Sequence, residues 1–148
     1  MSDPSRRRSR LPRWQEQAVY WGIATLALTG LAWLALDWWV RADGEFGPEH
    51  APAQAWLLIA HGAVAYLFLI VAGAMIPVHV RAGLAMRRNL ISGLTLSTGL
   101  ALLAITALAL YYVGSKSVRS WSSLAHWLVG LFAIPALAVH AIMGKRSR

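Results

Sequence analysis

Four of the five histidines lie within apolar segments of membrane-spanning length, and they form two pairs. His61 and His79 are eighteen residues apart in one segment, and His126 and His140 are fourteen residues apart in another. At about 100° per residue, each spacing returns close to the same side of an α-helix, so each pair shares one helix face. An imidazole inside hydrocarbon is costly and indicates a functional role. Its nitrogens are common ligands of metal ions and of haem iron.

The composition of the rest of the chain indicates membrane helices that would hold these histidines. Of its 148 residues, 57% are hydrophobic and only 14% are charged, which is typical of an integral membrane protein. Because backbone polar groups must be satisfied within each crossing, apolar segments of about 20 residues predict helices. We expect an all-α, four-transmembrane-helix bundle over residues 14–148, following a disordered basic arm at 1–13, with helices at about 19–40, 55–80, 90–113 and 121–143.

The distribution of lysine and arginine predicts the orientation of the four helices. Eleven of the fourteen basic residues lie before the first helix, in the second loop or at the C-terminus, whereas Arg41, Lys116 and Arg119 lie in the other two loops. By the positive-inside rule, both termini are cytoplasmic and the first helix is an uncleaved anchor. Four tryptophans then form a belt at the outer interface, namely Trp38, Trp39, Trp56 and Trp121.

This orientation pairs the four histidines by their depth in the membrane. The second and fourth helices run in the same direction, so His61 and His126 lie near the outer side, and His79 and His140 near the inner side. In a four-helix bundle, such helices face each other across the core. Each pair of imidazoles has the composition that a six-coordinate haem requires, and the sequence therefore predicts two haems.

The two spacings do not match, and this bears on the packing of the helices. At about 1.5 Å per residue, the histidines are separated by about 27 Å on one helix and about 21 Å on the other. Pro77 and Pro135 can kink their helices and reduce the mismatch. Small residues leave room for a porphyrin but are also common at ordinary membrane helix interfaces. The glycines of this kind are Gly30, Gly73, Gly93 and Gly99.

The chain has no cysteine, and this limits the cofactor. Iron–sulfur clusters, thiolate-ligated haem and haem attached through C-x-x-C-H are excluded, so the haems are non-covalent and b-type. Two histidines per iron leave no coordination position for oxygen or substrate, which favours electron transfer. The net charge of +8 comes from the chain ends and loops, and no nucleic-acid-binding motif accompanies it.

Basic and polar residues near the interfaces are candidate partners of the haem propionates. Arg81 and Arg88 are suitably placed on the inner side, and Lys116, Arg119 and Tyr112 on the outer side. Positive loop residues are also expected from topology alone. His79 lies at the end of its apolar segment, and an alternative interpretation is that it is an interfacial residue. His50 lies in the acidic first loop, where we expect it to be solvated.

Three short stretches resemble small bacterial four-helix di-haem cytochromes b, a group that includes flavinylation-associated cytochromes and the b-type subunits of nickel–iron hydrogenases. The stretches are 87–93 (RRNLISG), 111–114 (YYVG) and 126–130 (HWLVG). The resemblance covers about residues 56–144. It implies haem ligation by the four histidines in a bacterial inner membrane. It also implies electron exchange between quinols and a separate extracytoplasmic protein that carries flavin or haem.

Two classes of function remain open at this point. The first is a di-haem electron carrier, alone or as the membrane subunit of an oxidoreductase, rather than a stand-alone enzyme. The second is a non-redox membrane anchor, or a small metal transporter that uses the same histidines. A transporter typically has broken helices around a midplane site. Here the helix centres contain no Asp or Glu, which favours haem.

Overall fold

The computed structural model describes residues 11–44, 47–87 and 89–146. The chain is helical apart from a short hairpin. Its elements in order are α1 (Arg13–Trp39), β1 (Arg41–Gly44), β2 (Gly47–His50), α2 (Pro52–Met75), a π-helical turn (Ile76–Val80), α3 (Arg81–Ala85), α4 (Leu90–Tyr112) and α5 (Lys116–Arg146).

The prediction of four membrane-length helices is confirmed. Four helical segments are long and apolar enough to span a membrane: Arg13–Trp39, Pro52–Ala85, Leu90–Tyr112 and Lys116–Arg146. The first and last extend further than their apolar parts, because a helix continues through polar residues once it has left the hydrocarbon. Arg13, placed in the N-terminal arm by the sequence, is the first residue of α1. Residues 1–10 of that arm lie outside the described residues.

The described chain forms two compact units, divided after Pro77. In the first unit, α1 and α2 are antiparallel and are joined by the β1–β2 hairpin, in which Arg41 pairs with His50 and Gly44 with Gly47. The Phe68 ring packs against Gly22 of α1, where a Cβ would lie 2.7 Å from its Cδ2. A larger residue at Gly22 would displace the phenyl ring, so glycine allows this contact between the two helices.

Gln54 stabilises the end of the first unit that lies next to the β1–β2 hairpin. Its side chain is 2% exposed, and it is the one fully buried side chain among the described residues. Its Oε1 accepts a hydrogen bond from the Ala51 backbone N–H at 2.8 Å, and its Nε2 contacts the Trp33 carbonyl oxygen at 3.5 Å. Gln54 therefore caps the start of α2 and ties it to α1.

The second unit contains α4 and α5, which are joined by the three residues 113–115. Such a short connection makes the two helices antiparallel neighbours. Before α4, the backbone turns through Arg87 and Asn89, which have φ values of 49° and 52°. The Asn89 carbonyl oxygen accepts hydrogen bonds from the Gly93 N–H at 2.9 Å and from the Ser92 hydroxyl at 3.1 Å. This turn fixes the first residues of α4.

The predicted second helix contains a π-helical turn at Ile76–Val80. Pro77 lacks an N–H and cannot continue the regular α-helical hydrogen bonding, which accounts for a local change of winding. An i→i+5 turn is wound less tightly than an α-helix. Each residue of this turn therefore rotates about the helix axis by less than the roughly 100° of an α-helix. The helix face predicted for His79 assumed regular α-helical rotation throughout.

The surface of the chain is apolar, as expected of a protein dissolved in lipid. Among the described residues, no hydrophobic side chain is fully buried. Trp38, Trp39, Trp56 and Trp121, the predicted interfacial belt, are all more than half exposed. In each unit, hydrogen bonds between a hydroxyl and a histidine connect the two helices.

Candidate functional site

His61 of α2 contacts a hydroxyl of α1. Its Nδ1 lies 2.9 Å from Thr29 Oγ1. The neighbouring residue, Gly30, lies against the same ring: a Cβ at this position would be 3.4 Å from His61 Cε1 and 3.7 Å from Nδ1. The Thr29–Gly30 pair thus supplies a hydrogen-bonding partner and a flat backbone surface for the imidazole. Gly30 was singled out in the sequence for its small size, and here its neighbour is a candidate ligand.

His126 of α5 has the same arrangement with α4. Its Nδ1 lies 2.9 Å from Thr106 Oγ1. The threonine hydroxyl also contacts the carbonyl oxygens of Leu102 and Leu103, at 2.7 and 3.1 Å. The hydroxyl therefore connects the imidazole to the backbone of the neighbouring helix.

His140 lies near the end of α5 and contacts the first turn of α4. Its Nδ1 lies 2.9 Å from Ser92 Oγ. Gly93 follows Ser92, and a Cβ at Gly93 would lie 3.7 Å from His140 Cε1. The Ser92 hydroxyl contacts the Asn89 carbonyl oxygen at 3.1 Å. A hydroxyl followed by glycine therefore supports His140 in the second unit as it supports His61 in the first.

The two hydroxyls of α4 match the two histidines of α5 in register. Ser92 and Thr106 are fourteen residues apart, as are His126 and His140. Because the helices are antiparallel, the first hydroxyl meets the last histidine and the second meets the first. Fourteen residues of α-helix span about 21 Å. The second unit therefore holds two separate imidazole positions along one helix pair.

His79, on the π-helical turn, lies beside His140 within the second unit. The ring centroids are 6.1 Å apart and the ring planes are inclined by 82°. A metal between two imidazoles lies about 2 Å from each ring nitrogen, and each ring centre lies roughly 1 Å further out, so the centroids of an opposed pair are separated by about 6 Å. The centroid separation of His79 and His140 is close to this value, and it is also that of two rings in edge-to-face contact. The sequence had left His79 open as an interfacial residue.

No three His, Asp or Glu side chains in the described part of the chain gather into a metal-binding group. A site built from protein ligands alone usually needs three or four such groups. A haem iron needs only two, because the porphyrin supplies the other four nitrogens. A pair of imidazoles such as His79 and His140 is thus enough for a haem iron.

The predicted propionate partners lie at the ends of helices and are exposed. Arg81 begins α3, Lys116 and Arg119 lie in the first turns of α5, and Tyr112 ends α4 with 83% of its surface exposed. These positions are accessible to an anionic group near the interface, and their role stays a prediction. Arg88, the remaining candidate, lies outside the described residues.

His50 contacts the end of α1. Its Nδ1 lies 3.3 Å from Asp37 Oδ1, and its ring centroid is 5.9 Å from that of Trp33. The His50 side chain is 71% exposed, in agreement with the expectation of a solvated residue. Its contacts link β2 to α1, which is a structural role within the first unit.

The sequence reasoning missed the three hydroxyl residues, Thr29, Ser92 and Thr106. A signal for them was present. Thr29 and Ser92 each precede a glycine in an apolar segment, and the spacing of Ser92 and Thr106 repeats that of His126 and His140. Polar side chains at matching intervals on adjacent antiparallel segments indicate hydrogen bonds between the two helices.

No protein-family model matches the chain, and neither the curated proteins nor the solved structures include one with significant similarity to it. The case for a function therefore depends on the histidines and their surroundings.

Proposed function

We propose that the protein is a membrane-bound di-haem b-type cytochrome. His79 and His140 would hold one haem. His61 and His126 are assigned to the second because the sequence gives them matching depth in the membrane. Both haems are non-covalent, since the chain has no cysteine.

The observation that carries this proposal is the close pair of imidazoles. His79 and His140 come from different elements, and their ring centroids are 6.1 Å apart, close to the separation of two imidazoles bound to one iron. Placing two polar rings side by side in an apolar segment is costly without a ligand. The hydroxyl contacts at His61, His126 and His140 add support, because ligating histidines usually have a hydrogen-bonding partner on the second ring nitrogen.

The residues around these histidines are suited to electron transfer rather than to substrate chemistry. A haem with two histidine ligands passes single electrons and has no open coordination position. The hydroxyl contacts hold the rings of His61, His126 and His140 in place. Two such haems at different depths provide a route for electrons across the bilayer.

The proposed partners follow from the orientation and the resemblance. With both termini cytoplasmic, the outer haem faces the extracytoplasmic side of a bacterial inner membrane. Membrane quinol is the expected reductant or quinone the oxidant on the lipid side. A separate extracytoplasmic protein bearing flavin or haem is the expected soluble partner. Arg81 and Arg88 on the inner side and Lys116, Arg119 and Tyr112 on the outer side are proposed to bind the propionates.

The visible spectrum of the purified protein tests the proposal. We expect a reduced b-type α-band and about two non-covalent haems per chain by pyridine haemochrome assay. His50→Ala is the matched control, because His50 is the one histidine outside the apolar segments, and it should keep the full haem content. A colourless protein that is folded and inserted in the membrane would contradict the proposal and favour an anchor or transporter.

A further inference from the structure

The hydroxyls of Thr29, Ser92 and Thr106 each contact a backbone carbonyl oxygen as well as a histidine. Thr29 Oγ1 donates to the Thr25 carbonyl oxygen at 2.8 Å and contacts that of Leu26 at 3.2 Å. A hydroxyl has one proton to donate and two lone pairs that accept. When that proton is directed to the backbone carbonyl, the contact with His61 Nδ1 at 2.9 Å is made with the imidazole as the donor.

The same assignment follows at the other two sites. Thr106 Oγ1 donates to the Leu102 carbonyl oxygen at 2.7 Å, and Ser92 Oγ donates to the Asn89 carbonyl oxygen at 3.1 Å. Each oxygen then accepts from its histidine Nδ1 at 2.9 Å. A neutral imidazole that carries its proton on Nδ1 has its lone pair on Nε2.

We infer that Thr29, Ser92 and Thr106 are positioning residues, each of which holds its histidine in the Nδ1–H tautomer and so presents Nε2 as the ligand for iron. This inference rests on the proposed function for the identity of the ligand, and on the hydrogen bonds alone for the tautomer. It applies independently to His61, His126 and His140.

A hydroxyl partner also affects how strongly the imidazole donates electrons to the iron. A carboxylate on Nδ1–H draws the proton away and makes the imidazole a stronger electron donor, whereas a hydroxyl is a neutral, weaker acceptor. Each hydroxyl therefore fixes the ring with little added negative charge. Replacing the hydroxyl by a carboxylate lowers the reduction potential of the haem, because a stronger electron donor stabilises oxidised iron more than reduced iron.

The tautomer is measured first on the full chain produced without haem, with ¹⁵N-labelled histidine and NMR in detergent micelles. In the unaltered protein, we expect the Nδ1 signals of His61, His126 and His140 at the position of protonated nitrogen. Ser92→Ala, which removes the hydroxyl, should give His140 a mixture of tautomers and leave the other two unchanged. Ser92→Thr, which keeps a hydroxyl, should retain the Nδ1–H form.

Thr95→Val is the matched control. Thr95 makes the same bond to a backbone carbonyl, with Oγ1 2.9 Å from the Ile91 oxygen, and no histidine contact with it occurs in the described part of the chain. It should change no tautomer. If Ser92→Ala and Thr95→Val behave alike, or if His140 in the unaltered protein carries its proton on Nε2, the inference is wrong.

Haem titration and potentiometry provide the second measurement. We expect Thr29→Val and Thr106→Val to weaken binding of one haem about 10- to 100-fold, the usual cost of removing a partner of a metal-bound histidine. Thr29→Asp should lower one midpoint potential. Unchanged affinity and potential in all three would overturn the inference even if the haem-free protein does not fold. An unaltered protein that has the Nδ1–H tautomers but binds no haem would refute the proposed function alone.

Discussion

Alanine at His79 or at His140 is expected to lower the haem content of the purified protein from about two per chain to about one. Each substitution removes one of two axial ligands, and a b-type haem has no covalent bond to hold it once an imidazole is lost. The rings of the two histidines lie 6.1 Å apart, so both substitutions affect the same haem. Pyridine haemochrome assay and the low-spin EPR signals report the loss.

The double variant separates a shared haem from two independent ones. If His79 and His140 bind the same iron, the double variant keeps the same single haem, with the same midpoint potential, as each single variant. The effects of substituting two residues that bind the same haem are not additive. Two low-spin haems in His140→Ala, or loss of different haems in the two single variants, would show that the pairing is wrong.

The sequence predicted the scaffold because hydrophobicity is a local property. A run of about 20 apolar residues must form a helix in lipid, whatever its neighbours are. The histidines were identified for the same reason, since a polar ring in such a run needs no structural context to be noticed. Their spacing also gave a helical phase, which holds within a regular α-helix such as that around His126.

The contacts of the histidines depend on how one helix is registered against another, which composition does not encode directly. Loop length and the positions of small residues set the register: the three-residue connection between α4 and α5 aligns Ser92 with His140 and Thr106 with His126. The hydroxyls were missed because threonine and serine in a membrane helix ordinarily bond to their own backbone. Only the neighbouring imidazole gives them a second role.

Two local features also escaped the sequence reasoning. Pro77 indicated a disturbance in the second helix, but proline can produce a kink, a break or a π turn, and only the structure identifies the π turn that carries His79. The β1–β2 hairpin occupies a loop that had no alternating apolar pattern. Eight residues at the end of two helices can pair without a hydrophobic face, because the helices already bring the strands together.

Leucine at Gly30 is expected to abolish binding of the haem assigned to His61, with the other haem retained. A Cβ at this position already lies 3.4 Å from His61 Cε1, so the further carbons of leucine have no space unless the imidazole moves. Overpacking of this kind costs about 1–3 kcal/mol, and rotation of the ring breaks its contact with Thr29. Haem content per chain and the midpoint potential of the remaining haem are the measurements.

Two further variants separate displacement of the ring from a general effect on α1. Gly30→Ala adds a Cβ at ordinary contact distance and gains about 1 kcal/mol of helix propensity, so both haems should remain. Ala32→Leu adds the same side chain at an exposed position two residues away and should also retain both. If Gly30→Leu keeps two haems with unchanged potentials, His61 does not need the position beside Thr29 and Gly30, and its assignment as a ligand fails. If Ala32→Leu loses a haem as well, the effect comes from α1 as a whole and not from the surface that Gly30 presents to the ring.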